Sequence, residues 1–196
     1  MERIKKTDSR KVLQTKNRIK EVFLELCAEK PLDKISIKEL TALAQINRST
    51  FYAHFHDIYD LKDQVAADFS RTMRERIFPV IIDIASGVDF TENSYQIIDV
   101  YEQYRTFFRA FLLTNRDEQL VDSVKETARE TLLQRFAGMG VEPPQHLEYM
   151  LEYLLGAQLA LLARWVGEPE PPPVEELVAL VKRLNFQGPV HCLFGV

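Results

Sequence analysis

Residues 36–55 read SIKELTALAQINRSTFYAHF, and their spacing predicts two short helices joined by a tight turn. Ser36 and Glu39 stand three apart, the S-x-x-E spacing of a capping box, in which each side chain satisfies a backbone N–H left free at a helix start. Ile37, Leu40, Leu43 and Ala44 then recur at helical spacing and give one apolar face. Asn47 is a residue type that caps a second helix. Phe51 and Phe55, four apart, hold that helix down on the first.

The outward side of the second helix carries different chemistry. At about 100° per residue, the direction opposite Phe51 and Phe55 is occupied by Ser49 and Ala53. Thr50 flanks them on one side, Tyr52 and His56 on the other. Small residues let a helix backbone approach a surface closely, and hydroxyls and a basic ring at the edges can bond phosphate oxygens and base edges. A recognition helix in a major groove needs this combination. An ordinary helical hairpin with a polar outer face has the same pattern, so the rest of the chain has to decide.

Charge is distributed unevenly. The 196 residues carry a net −4, which taken alone argues against a polyanion partner. Residues 1–62, however, hold 13 Lys/Arg against 9 Asp/Glu, and residues 63–196 hold 12 against 20. A basic head thus precedes an acidic body, and polyanion binding follows local basic density rather than total charge. A hydrophobic content of 46% supports a sizeable core, and only seven glycines with long periodic stretches favour an all-helical fold. No uncharged apolar run reaches about 18 residues, so no membrane span is expected. MERIKKTDSRK lacks an apolar segment after its basic residues and is no secretory signal, so a cytoplasmic location is expected. Cys27 falls on an apolar stripe and Cys192 lies near the end. With no CxxC, no Cys/His cluster and no H-E-x-x-H, neither a disulfide, a metal site nor a cofactor is expected.

In chain order, residues 1–8 are polar and read as mobile. A first helix is expected from Ser9 to Glu29, with Val12, Ile19, Val22, Phe23, Leu26 and Cys27 buried and Arg10, Lys11, Lys16, Arg18 and Lys20 off that stripe. Pro31 ends it. Asp57 and Asp60 repeat the cap spacing and open a long helix from Ile58 to Ile84, with Leu61, Val65, Phe69 and Met73 inward and Pro79 as a kink. This helix reads as the mechanical link between head and body. Residues 86–94 read as a loop. Helices follow over Ser94–Leu113, rich in aromatics, and Glu118–Met139.

The helix from Pro144 to Val166 is apolar all round between Tyr153 and Ala163 except at Gln158, and such a helix has to be buried all round. Small Gly156, Ala157, Ala160 and Ala163 allow close approach of another helix. After the stiff segment EPEPPP, Val174–Leu184 forms a last amphipathic helix. The expected arrangement is a homodimer in which these two helices pair with their copies through Leu154, Leu155, Leu159, Leu162, Trp165, Leu177, Leu180 and Val181. The alternative is a central helix in one monomeric bundle.

Taken together, the basic first helix, SIKELTALA, RSTFYAHF and the DIYDL that follows resemble the TetR family of transcriptional regulators over about residues 10–62. The resemblance implies an all-α fold with a helix-turn-helix DNA-binding domain at 1–56 and a helical regulatory and dimerisation domain at 57–196. It implies a homodimer on a double-stranded DNA operator, usually as a repressor, and not an enzyme. Carried over by position, Thr50, Tyr52 and His54 contact phosphate and sugar, and Arg48 and Ser49 lie nearest the bases. Ser36, Lys38 and Lys62 complete the candidate set. In two places the chain departs from the family pattern. Gln45 stands where a turn glycine is frequent, which costs about 1 kcal/mol if the backbone there is left-handed. Ile58 stands where a lysine often opens helix four, leaving that helix's first N–H groups to hold a phosphate.

A ligand-responsive repressor is the expected mechanism. A small hydrophobic ligand would sit among Phe69, Met73, Tyr104, Phe107, Phe108, Tyr153 and Gln158 and favour a dimer whose heads are wrongly spaced. The rival from another class is a helical module that binds a partner protein without specific DNA binding. The body offers no nucleophile-and-base constellation for an enzyme.

Overall fold

The computed structural model describes residues 2–80 and 90–194, and every regular element among them is helical. In order these are α1 (Glu2–Glu29), a 3₁₀ turn (Leu32–Lys34), α2 (Ile37–Leu43), α3 (Arg48–Tyr52), α4 (Ile58–Thr72) running into a π turn (Met73–Ile77), α5 (Phe90–Gln103), α6 (Arg105–Phe108) with a second π turn (Arg109–Thr114), α7 (Glu118–Met139), α8 (Leu147–Gly167), α9 (Val174–Gln187) and α10 (Pro189–Phe194).

One hydrophobic core runs through the whole assembly. Phe23 and Cys27 of α1, Leu40 of α2 and Phe51 and Phe55 meet Leu61, Val65 and Phe69 of α4, which continue into Phe107, Phe111 and Trp165. Each fully buried phenylalanine contributes on the order of 1.5–3 kcal/mol by leaving water. Burial pushes the Cys27 thiol up to about 12, so it acts as a small apolar group.

Several expected boundaries shift. The first helix begins at Glu2 rather than Ser9, since no glycine or proline interrupts residues 2–9. Val12 is 46% exposed, because α1 extends past the elements that cover its later turns. Leu43 is 51% exposed at the end of α2, where the chain turns away. The fourth helix continues helically to Val80, with the wide π turn just ahead of Pro79, whose ring cannot sit against a regular preceding turn; Ile84 lies outside the described residues. Of the loop expected at 86–94, residues 90–94 are the first turns of α5 and the rest lie outside the described residues. The aromatic helix expected over Ser94–Leu113 is broken at Tyr104, whose φ of −100° and ψ of 12° leave the helical region. The expected Glu118–Met139 helix is found with those bounds. Asp117 caps it from the Leu120 N–H, and left-handed Gly140 closes it.

Gln45 does adopt the left-handed backbone, at φ 58°. Its N–H bonds Ala42 O and the Ile46 N–H bonds Thr41 O, the paired bonds of a Schellman motif with Gln45 in the glycine position. Gln45→Gly should relieve about 1–2 kcal/mol of backbone strain and lose about 0.4–1 kcal/mol to a freer unfolded chain. The expected net is a gain of about 0.5–1 kcal/mol, read as a rise of a few degrees in Tm by calorimetry.

Candidate nucleic-acid interface

The hairpin of α2 and α3 is built from local rules. Ser36 Oγ accepts from the Glu39 N–H at 3.2 Å, but the reciprocal half of the capping box is not made, because the Glu39 carboxylate pairs with Lys30 Nζ at 2.5 Å. The Ser36 backbone N–H is thus left without the Glu39 carboxylate, and the Ser36 hydroxyl, which uses a lone pair on the Glu39 N–H, keeps its own hydrogen to donate. Asn47 occupies the cap position of α3 with extended backbone but no side-chain cap bond, so its amide also stays free. Phe51 and Phe55 are buried with ring centroids 5.6 Å apart.

Burial on that side fixes what faces out. Arg48, Ser49, Ala53 and His56 are exposed, Thr50 and His54 are half-buried, and Tyr52 is 56% exposed. Tyr52 stands edge-on to Phe51 at 5.5 Å and 85°, and His54 edge-on to Phe55 at 6.4 Å, so both rings are braced from below. Two groups of cations stand out in the head. Lys20, Lys30, Lys34 and Lys62 are held by carboxylates. Arg10, Lys11, Lys38 and Arg48 are exposed and have no acidic partner among the described residues. A cation without a partner can meet a phosphate without first breaking an ion pair.

Two expected contacts are overturned. Lys62 does not face the outer surface: its Nζ lies 2.8 Å from Asp117 Oδ2 and its side chain is 19% exposed, because one turn into α4 it points at the start of α7. The start of α4 is also closed to a phosphate. Asp57 Oδ1 accepts from the N–H groups of Tyr59 and Asp60 at 2.8 Å, and Asp60 accepts from the His56 N–H. Gln64 and the His56 N–H hold the Asp60 carboxyl below the ordinary range, leaving two carboxylates where a phosphate would have sat.

Head and body meet in more places than α4. Asn115 Nδ2 donates to Cys27 O at 2.7 Å and Lys30 O at 3.2 Å, Asn115 Oδ1 accepts from the Leu32 N–H at 2.6 Å, and Thr114 Oγ1 donates to Ala28 O at 3.0 Å. The end of α1 is thus fastened to the segment before α7, and α4 is not the sole link. No sequence spacing marks these contacts; the single hint is Pro31, which leaves a carbonyl of α1 without its donor.

The Lys62–Asp117 pair adds a pH dependence. Burial alone would raise the Asp117 carboxyl, but the Lys62 bond, with the N–H groups of Leu120 and Gln119, outweighs it and holds the group below the usual carboxylate range. A depressed folded pKa means stability present above the unfolded pKa and lost as pH falls through the folded one. Asp117→Asn keeps a cap residue but leaves Lys62 unpaired, at a cost of about 1–2 kcal/mol at neutral pH. The gap from the parent in denaturant titrations should close below about pH 4, as the parent protonates.

In the body, Phe69 stacks on Phe107 at 4.2 Å and meets Tyr104 and Phe108 at 5.1 and 5.6 Å, and Met73 packs against the same core. Tyr104 hydroxyl and Thr72 Oγ1 are 2.7 Å apart. Tyr153 is not among these rings: it is 63% exposed on the outer side of α8. Gln158 is half-buried. The expected dimer set also needs correction. Leu162, Trp165 and Leu177 lie in the chain's own core, with Arg105 stacked 4.7 Å over Trp165 and the indole N–H donating to Pro172 O. Leu155, Leu159 and Val181 are half-buried, and only Leu154 and Leu180 are exposed. The outward stripe of α8 is instead Tyr149, Met150, Tyr153, Gly156, Ala157 and Ala160. A helix apolar on all sides gives no phase from which sequence alone could choose.

A family model described as the transcriptional regulator C-terminal region of TetR proteins matches residues 88–187. The chain belongs to the TetR family. Its fold is similar to that of a TetR transcriptional regulator from Streptococcus agalactiae 2603V, with a TM-score of 0.57 over 89% of this chain and 95% of that one, at 20% identity. At that identity the likeness speaks for the fold. No curated protein matches the sequence. The TetR match falls on the body, whereas the motifs that resemble the family lie in residues 10–62, so the two halves point to one family from separate evidence. This TetR chain is a transcriptional regulator, and no described helix is long and apolar enough to cross a membrane.

Proposed function

We propose that the protein is a cytoplasmic, homodimeric repressor that binds a pseudo-twofold DNA operator and is released from it by a small hydrophobic ligand. The observation that carries the DNA reading is the exposed Ser49–Tyr52–Ala53 face of α3, braced by buried Phe51 and Phe55, in a head that also exposes Arg10, Lys11, Lys38 and Arg48 without an acidic partner among the described residues. In this reading residues 1–56 bind DNA and 57–196 dimerise and respond. Arg48 and Ser49 lie nearest the bases, while Thr50, Tyr52, His54, Ser36 and Lys38 hold phosphate and sugar.

The dimer would form through the outward stripe of α8 with Leu154 and Leu180, where small residues let two helices approach. Stacked Phe69 and Phe107 are the place for a ligand to enter, and its binding has to separate rings now in contact. Only a ligand with unequal affinity for two dimer arrangements moves the heads.

The test is a gel-shift titration on the promoter next to the protein's own coding sequence, repeated across salt. If Arg10, Lys11, Lys38 and Arg48 of both protomers reach phosphates, log K falls against log salt with a slope of about −7. Failure to select any duplex from a random pool sinks the DNA reading and favours a protein-binding module. A ligand screen by thermal shift then addresses release.

A further inference from the structure

The last turn of α1 is missing a donor. Lys30 N–H bonds Leu26 O, as a helix requires, but the next residue is Pro31, which has no N–H to give to Cys27 O. Leu32 N–H, which would have served Ala28 O, turns instead to Asn115. Carbonyls left bare at a buried helix end are costly unless other groups reach them. Here the body supplies them: Asn115 Nδ2 to Cys27 O and Lys30 O, and Thr114 Oγ1 to Ala28 O. These bonds join residues 85 to 88 apart in the chain.

Asn115 is itself tied to the aromatic core. Its N–H bonds Ala110 O at 2.7 Å, closing the π turn Arg109–Thr114, and Asp117 N–H bonds Phe111 O. Phe111 is buried against Phe107, which stacks on Phe69. An unbroken line of contacts therefore runs from the ring cluster, where Phe69 of α4 meets Phe107, through the π turn to the end of the head's first helix, in addition to the covalent route along α4.

We infer that Asn115 is a positioning residue for DNA binding: by standing in for the missing Pro31 N–H, it makes the orientation of the head follow the π turn of the body. This rests on the DNA reading above. A plain capping role would need the bonds but not their origin in the body, and that difference can be measured. Asn115→Ala removes the side-chain donors to Cys27 O and Lys30 O and the acceptor of the Leu32 N–H, and leaves Thr114 Oγ1 on Ala28 O. Pro31→Ala gives α1 back an N–H of its own for Cys27 O.

The expected result is that N115A lowers both Tm and operator affinity, the latter at least tenfold. In the double variant N115A/P31A, Tm recovers while affinity stays low, because Cys27 O again has a donor within α1 but the end of that helix is no longer fixed to Asn115. Recovery of both would reduce Asn115 to a cap and overturn the inference, as would unchanged affinity in N115A. Should N115A not fold, Asn115→Asp keeps the acceptor for Leu32 N–H and loses only the donors, and the same pair of outcomes applies. A readout without DNA separates this inference from the function it rests on. Spin labels at Lys38→Cys and Gln134→Cys, in a Cys192→Ser chain diluted with unlabelled protein, report the distance from head to body. A distribution that broadens in N115A and stays broad in N115A/P31A supports positioning even if no operator is found. A distribution unchanged in N115A overturns it.

Discussion

Gly156→Arg is expected to give a folded monomer that no longer holds an operator. The two effects have opposite signs, which makes the variant informative. Within one chain nothing lies within 4 Å of a Cβ added at Gly156, so a longer side chain meets no obstacle. Replacing a mid-helix glycine with arginine should raise helix stability by about 0.5–1 kcal/mol. In a dimer formed through the outward stripe of α8, the same residue faces its own copy across the two-fold axis, or a neighbouring apolar side chain. Two guanidinium groups would then be brought together out of water, a cost of several kcal/mol with no partner to offset it. Sedimentation at micromolar concentration should change from a species of two chains to one of 22.8 kDa, with no fall in Tm. Operator affinity should drop by a factor of about 10²–10⁴, since each half-site then has to be held alone. A variant that stays dimeric places the interface elsewhere. A parent protein that is already monomeric at micromolar concentration removes the dimer altogether.

How much of this was legible in the sequence depended on the range of the physics involved. The starts of α2, α4 and α7 are set by Ser36, Asp57 and Asp117 reaching two or three residues along the chain, and the sequence places all three starts and that of α3, although Asn47 makes no side-chain cap bond and Glu39 turns to Lys30. Gln45 stands where the family pattern often has a turn glycine, and its backbone is left-handed as that position requires. Reading failed where a residue's role is decided by a partner far along the chain. Lys62 looked like a basic residue beside a DNA surface, but Asp117, 55 positions later, holds it against the body. Tyr153 and Trp165 lie on one helix whose middle, from Tyr153 to Ala163, is apolar all round except at Gln158. No pattern could say that the first faces out and the second in. The fastening at Asn115 is the extreme case: Pro31 shows that a carbonyl is orphaned, yet nothing near it names the residue that supplies the donor. That the head is anchored through the end of α1 as well as through α4 was hidden for this reason.

Phe51 and Tyr52 are adjacent, and their alanine variants should fail in different ways. Phe51 is fully buried between α2 and Phe55, so Phe51→Ala leaves a cavity at the base of the hairpin and should cost about 3–5 kcal/mol. Against a total of about 5–15 kcal/mol for a domain, that is enough to lower Tm by many degrees and to expose the head to proteolysis. DNA binding is then lost because the surface that makes it is no longer assembled. Tyr52 points the other way and is braced only edge-on by Phe51, so Tyr52→Ala should cost about 0.5–1 kcal/mol of stability. Its phenol, in the proposed complex, donates to a phosphate. A bond to a charged group is worth about 1.5–3 kcal/mol, and a dimer loses two of them. Affinity for the operator should fall by roughly 10²–10⁴ with the dimer intact by sedimentation. Because the lost bond goes to phosphate, non-specific duplex binding should weaken too, and discrimination among operator sequences should change little. Tyr52→Phe tests the atom itself: it keeps the edge contact and removes only the hydroxyl. If it binds DNA like the parent, Tyr52 is structural and the phosphate contact has to be sought among Thr50 and the unpaired cations. If it binds like Tyr52→Ala, the hydroxyl carries the contact, and the bracing by Phe51 is what holds it at the right height above the helix.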